Sequence, residues 1–136
     1  MTNNKKVLQF VADVEAFAQP DKVVWIDGSD AQRDALREEA CATGEIIKLN
    51  QELLPDCYYH RTAENDVARV ENRTFICTKE KKVVGATNNW MESSECYEKL
   101  SKLYRGSMKG KTMYVIPYSM GVVGSSFSKI GIELTD

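Results

Sequence analysis

Residues 64–74 (ENDVARVENRT) combine charged side chains with small apolar ones directly before an apolar run. Arg69 stands between two apolar residues, and its guanidinium is a planar, permanently charged fork that can hold a carboxylate or a phosphate through two parallel hydrogen bonds. The alternative is a surface ion pair between Arg69 and Asp66 or Glu71, which would contribute little to stability. Taken by itself, the composition of this segment favours the surface ion pair.

A second candidate for chemistry is the stretch GVVGSSFSK at residues 121–129. Its glycines allow the backbone to approach a ligand closely, and its serines supply hydroxyl donors. However, it lacks the Gly-x-x-x-x-Gly-Lys-Ser/Thr spacing of a phosphate-binding P-loop, and a predicted strand follows it instead of a helix N-terminus. An anion-binding loop and a strand-connecting turn therefore both remain open. The possible donors are Ser125, Ser126 and Ser128.

His60 is the only histidine, and the cysteines contain no Cys-x-x-Cys pair. A zinc site needs clustered ligands, and a cysteine nucleophile needs a positioned base. The sequence therefore predicts neither a metal centre nor a Cys–His enzyme, and it favours a structural role for His60. The polar start MTNNKK does not resemble a secretory signal, so we expect a cytoplasmic protein with reduced thiols. The cysteines are Cys41, Cys57, Cys77 and Cys96.

The overall composition predicts a soluble globular domain. The chain has 136 residues, of which 43% are hydrophobic and 28% charged, with a formal net charge of -2. This charge argues against nucleic-acid binding, and no apolar run is long enough to span a bilayer. The lysines at 79, 81 and 82 are interrupted by Glu80 and are typical of a solvated turn.

The residues between these candidates predict an α/β fold with a mixed β-sheet flanked by helices. Apolar spacing predicts helices over 7–18 and 93–104, and a capping box at Ser29 and Gln32 starts another that runs to Cys41 and closes at Gly44. Strands are predicted at 22–27, 45–50, 73–78, 112–117 and 129–135, and a loop at 79–91. The helix between the first two strands predicts that these two pair in parallel.

Three motifs occur in the order DVARVENRTFICT, TNNWM and MKGKTMYVIPYSMGVVGSSFSKIGIELTD. Together they resemble the N-terminal part of GTP-dependent phosphoenolpyruvate carboxykinase, from about Cys57 to Asp136. The resemblance extends more loosely to VVWIDGSDAQRDAL and GEIIKLN. It implies that residues 1–136 are part of the N-terminal, substrate-binding domain of such an enzyme and that the nucleotide-binding domain is absent from this chain.

The resemblance also implies a reaction. The family converts oxaloacetate and GTP to phosphoenolpyruvate, GDP and CO2 in gluconeogenesis, with manganese and with magnesium on the nucleotide. By resemblance, Arg69 holds the substrate carboxylate within a mobile substrate loop at 67–74, and Glu71 meets a closing lid. In the family the metal ligands, the phosphate-binding loop and the guanine pocket lie beyond Asp136. We therefore expect no complete catalytic, metal or nucleotide site here, and no activity from the chain alone.

The sequence departs from the family at two places and leaves alternatives open. Val122 and Ser126 stand where the family has prolines, which removes two fixed φ angles from the loop. The residues before TNNW differ as well. One alternative is a stand-alone, non-catalytic module that binds a dicarboxylate or a protein. Another is a silent remnant, for which an unpaired strand at 129–135 predicts self-association.

Overall fold

The computed structural model describes residues 2–66 and 70–136. These form two compact units, the first combining Met1–Ile26 with Thr74–Asp136 and the second comprising Asp27–Arg73. The helices are α1 (Lys5–Ala18), α2 (Asp30–Thr43) and α3 (Ser93–Tyr104). The strands are β1 (Lys22–Trp25), β2 (Ile47–Lys48), β3 (Tyr58–Tyr59), β4 (Phe75–Ile76), β5 (Asn89–Trp90), β6 (Thr112–Met120) and β7 (Lys129–Thr135).

A three-stranded mixed sheet forms the centre of the first unit. Its order is β1-β6-β7, with β1 parallel and β7 antiparallel to β6. Met113 and Val115, on one face of β6, are fully buried, and with Val11 of α1 they form the core. The partly buried side chains around them are Val14, Val23, Trp25, Met108, Ile132 and Leu134. This arrangement confirms the predicted α/β class with a mixed sheet.

Strand β6 contains a proline although it lies between two other strands. Its pairing with β1 covers Thr112 to Val115, and the Ile26 amide donates the next bond to the Val115 carbonyl. Pro117 lies beyond this point, where β6 pairs only with β7 in the described structure. At Pro117 the edge of β6 that faced β1 no longer pairs with another described strand. The N–H that proline lacks is therefore not needed for a ladder bond, and strands tolerate proline in this situation.

Side chains cap the helix starts, and the predicted capping box at Ser29 and Gln32 is confirmed. Asn4 accepts a bond from the Lys6 amide and starts α1, two residues before the predicted start. In the second unit, the Ser29 hydroxyl caps α2 through the Gln32 amide at 3.2 Å, while the Gln32 side chain accepts from the Asp27 amide at 2.8 Å. Gly44 closes α2 in a left-handed conformation, as predicted, although the helix runs two residues past Cys41.

The predicted parallel pairing of the first two strands is wrong. β2 pairs with β3 in antiparallel orientation, and β1 pairs with β6. β2 has only two residues and its Ile47 is 57% exposed, so it offers little apolar surface with which to join a central sheet. The Asn50 side chain accepts bonds from the amides of residues 52 and 53, so the chain turns back immediately and brings β3 alongside β2.

The region around the predicted third strand also differs from expectation. The strand predicted at 73–78 is reduced to β4, and the loop predicted at 79–91 contains a helical turn at Lys81–Val83 and then β5. β4 and β5 pair in parallel as a separate two-stranded sheet.

Throughout the described residues, no helix has both the length and the apolar character needed to cross a membrane.

Candidate functional site

The predicted substrate segment is described on both sides of its arginine. Val67–Arg69 lies outside the described residues, so neither the carboxylate-binding role of Arg69 nor its alternative ion pair is tested here. Glu71 lies on an exposed helical turn, Glu71–Arg73, that is closed by a bond of 3.0 Å from the Arg73 amide to the Val70 carbonyl. An exposed carboxylate on a short ordered turn is accessible to a second polypeptide segment.

The chain that follows this segment is held by the TNNW motif. The Asn89 side-chain amide donates to the Thr74 carbonyl at 3.2 Å. The half-buried Trp90 indole donates to both the carbonyl and the hydroxyl oxygen of Thr78, each at 3.2 Å. Together with the β4–β5 pairing, these bonds fix the backbone from Thr74 to Thr78 at both ends. The motif therefore anchors the strand that begins where the substrate segment ends.

Sequence reasoning missed this anchor because it assigned residues 79–91 to a loop. A two-residue strand has no hydrophobic period to detect. The available signal was chemical. A tryptophan indole usually finds a hydrogen-bond acceptor when it is partly buried, and an asparagine amide is a strong donor, so their adjacency at Asn89 and Trp90 predicts backbone partners.

The glycine-rich stretch is the connection of the β6–β7 hairpin. Gly121 and Gly124 have φ angles of 102° and 89°, which only glycine adopts readily. The Ser128 hydroxyl donates to the Ser125 carbonyl at 2.7 Å, and the Ser125 hydroxyl accepts from the Phe127 amide at 3.2 Å. Because these two hydroxyls satisfy bonds of the loop itself, the geometry favours a strand-connecting turn over an anion-binding loop.

Val122, which stands where the family has its first proline, begins a turn in this connection. Val122 is 78% exposed, and its carbonyl accepts the Ser125 amide at 3.1 Å, which closes a four-residue turn. Phe127 is 89% exposed at the same end of the hairpin. The loop thus presents apolar side chains to solvent.

His60 and the cysteines occupy different kinds of environment. The His60 Nδ1 atom lies 2.7 Å from the Glu45 carbonyl oxygen, so this nitrogen donates a hydrogen bond to it. The bond joins the residue after β3 to the chain just before β2, so His60 has a structural role in this pair. Among residues 2–66 and 70–136, no three or more His, Cys, Asp or Glu side chains are grouped to hold a metal ion. The structure does bring Cys77 and Cys96 together, which their separation in sequence did not reveal.

The chain matches known proteins along nearly its whole length. A family model described as the phosphoenolpyruvate carboxykinase N-terminal domain matches residues 9–136. Over 135 residues the chain is 49% identical to a phosphoenolpyruvate carboxykinase [GTP] of Anaeromyxobacter sp. (strain K), 46% to that of Renibacterium salmoninarum and 45% to that of Corynebacterium glutamicum (strain R).

Each of these alignments covers 99% of this chain but only 22–23% of the relative. The chain therefore spans less than a quarter of the length of these relatives, and the family model identifies the matched part as the N-terminal domain. The family suggested by the motifs is confirmed: this chain belongs to the phosphoenolpyruvate carboxykinase N-terminal domain family.

Proposed function

We propose that this chain is the oxaloacetate- and phosphoenolpyruvate-binding part of a GTP-dependent carboxykinase. The observation that carries the proposal is the match of residues 9–136 to the family's N-terminal domain, together with 49% identity to an enzyme named for GTP. The complete protein would convert oxaloacetate and GTP to phosphoenolpyruvate, GDP and CO2, as a gluconeogenic enzyme of the cytoplasm. Since the chain spans 23% of that relative, the activity belongs to the proposal for the whole protein.

In this proposal Arg69 holds a carboxylate of the substrate. A guanidinium fork donates two parallel hydrogen bonds to a carboxylate and fixes the direction of the attached carbon chain. When the carbon–carbon bond to the departing CO2 breaks, its electron pair remains on the substrate as an enolate. The enolate oxygen then bonds to the γ-phosphorus of GTP, and GDP leaves. The contribution of Arg69 is orientation, because a substrate held in reactive geometry needs no further ordering.

Two features of the described residues support a substrate segment at 67–74. The Glu71–Arg73 turn is ordered by its own backbone bond, and the Asn89 amide holds the Thr74 carbonyl where the segment ends. Glu71 is exposed, as a residue that contacts a closing lid must be before closure. We assign this contact to Glu71 as part of the proposal.

The metal ions and the nucleotide are assigned to other parts of the protein. A resident Mn2+ needs a cluster of protein ligands, whereas the Mg2+ of a nucleotide is held largely by phosphate oxygens and water. The described part of this chain contains no group of three or more His, Cys, Asp or Glu side chains that could hold a metal ion, so these residues do not fit a resident metal. GTP binding is likewise proposed for polypeptide beyond this chain.

Titration of the chain with phosphoenolpyruvate, followed by ligand-observed NMR, tests the role of Arg69. We expect wild type to bind and Arg69→Gln to lose at least about tenfold in affinity, since a charged bidentate bond is lost. The matched control is Arg61→Gln, which removes an exposed arginine of the same unit and should bind like wild type. Equal binding by all three proteins would contradict the assignment.

The chain should also fail to turn over oxaloacetate with GTP and Mn2+ when it is assayed alone. Turnover above the blank would show that the catalytic groups lie within residues 1–136. It would overturn the division of labour proposed here, while the binding experiment would still report on Arg69.

A further inference from the structure

Two cysteines meet in the first unit although they lie on different elements. Cys77 directly follows β4, and Cys96 lies in the first turn of α3, which starts shortly after β5. β4 and β5 run in parallel, and the Met91 amide donates to the Ile76 carbonyl at 3.4 Å. The chain segments that carry the two cysteines therefore leave the same end of this small sheet side by side.

The two cysteine side chains line the same cavity. A hydrogen-bonding interaction with the Cys96 thiol is the main reason that the pKa of Cys77 is raised. Cys77 is exposed and Cys96 is half-buried, and both are free thiols. A disulfide forms only between neighbouring thiols, and this pair meets that first condition.

The pair faces a cavity that a small reagent can enter. The cavity has a volume of about 270 Å³ and is open to solvent. Its lining residues are Cys77, Ser93, Cys96, Tyr97 and Leu100. Both thiols thus share one apolar, accessible pocket, whereas Cys41 and Cys57 lie in the second unit.

We propose that Cys77 and Cys96 form a dithiol modification site that reacts with low-molecular-weight organic disulfides such as oxidised glutathione. One of the two protein thiolates attacks one sulfur of the reagent, forming a mixed disulfide and releasing one thiolate, which takes up a proton. The other cysteine then loses its proton and attacks the protein sulfur of that mixed disulfide, and the second thiol leaves. In total, two protein thiols are oxidised to one disulfide and one organic disulfide is reduced to two thiols.

Either thiol can make the first attack, because both line the open cavity. The bond formed would tie the end of β4 to α3, and excess reduced thiol would open it again.

Incubation of the folded chain with oxidised glutathione, followed by alkylation and peptide mass mapping, tests this proposal. In wild type we expect one intramolecular disulfide that maps to Cys77–Cys96, with the loss of two hydrogen atoms. Cys41 and Cys57 serve as internal controls in the same molecule, and we expect them to remain alkylatable or to carry only single adducts.

Two variants test whether both thiols take part. In Cys77→Ser, glutathione should remain on Cys96, because no neighbouring thiol displaces it. In Cys96→Ser, glutathione should remain on Cys77 for the same reason. Separate adducts on both cysteines of wild type, random pairing with Cys41 or Cys57, or no reaction at the pair would each overturn the proposal.

Discussion

Gly131 of β7 is the residue whose substitution gives the sharpest prediction. It pairs directly with Tyr118 of β6, and the tyrosine ring lies over it. A Cβ atom at position 131 would lie 2.5 Å from the Tyr118 hydroxyl oxygen and 2.8 Å from Cε1, closer than such atoms approach in proteins. In Gly131→Ala the ring must therefore move.

The expected cost can be worked out from two opposing effects. Overpacking of this kind costs about 1–3 kcal/mol, and the lower part of that range applies because Tyr118 is 44% exposed and its ring can rotate outward. Alanine loses less backbone entropy on folding than glycine, which stabilises a strand by roughly 0.5–1 kcal/mol. This gain applies here because the φ of Gly131 is not in the left-handed region. Gly131→Ala should therefore destabilise the protein by about 0.5–1 kcal/mol.

The sign should reverse when the ring is absent. In a Tyr118→Ala background the same change meets no ring and should stabilise the protein by roughly 0.5–1 kcal/mol. Urea unfolding of the four proteins, analysed by linear extrapolation, gives a coupling free energy that we expect to lie at about 1–2 kcal/mol. Equal effects of Gly131→Ala in both backgrounds would refute the contact between the ring and the glycine.

Three further predictions concern the anchor, the core and a helix cap, and all are measured as free energies of unfolding. Trp90→Phe keeps the ring but removes the donor to Thr78, and should cost about 1 kcal/mol; no loss would contradict the anchor. Met113→Ala, at a fully buried site, should cost about 2–5 kcal/mol, whereas Met120→Ala, 65% exposed on the same strand, should change stability by less than about 0.5 kcal/mol. Glu92 caps α3, and bonds from the Ser94 hydroxyl first and then from the helix amides lower the pKa of its carboxyl group. The stabilisation by the ionised Glu92 carboxylate is fully present above its unfolded-state pKa and is lost as the pH falls through its folded-state pKa. In Glu92→Gln the free energy of unfolding should therefore fall less steeply as the pH is lowered.

Local signals predicted the helices and the longest strands well. Helix 93–104 and strand 129–135 have the predicted bounds, and the capping box at Ser29 and Gln32 starts α2 as expected. These features depend on residues close together in sequence, such as a side-chain oxygen and an amide three positions later. The apolar stripe of a helix is likewise set by the spacing of the helix's own residues.

Features that depend on distant partners were not predictable in the same way. β2 is too short to choose its own partner, and the turn at Asn50 decides in favour of β3. Cys77 and Cys96 line one cavity because β4 and β5 pair, and β5 is too short to show a sequence period. The proposed role of Arg69 came from the family motif around it. The composition of residues 64–74 alone favoured a surface ion pair.

The most direct test of the central claim uses the native protein, purified from its source cells through a tag on this chain and assayed with oxaloacetate, GTP and Mn2+. We predict GTP-dependent formation of phosphoenolpyruvate, with kcat/KM reduced by at least about 100-fold in Arg69→Gln and unchanged in Arg61→Gln. A native protein without this activity, or one in which Arg69→Gln is as active as wild type, would contradict the account.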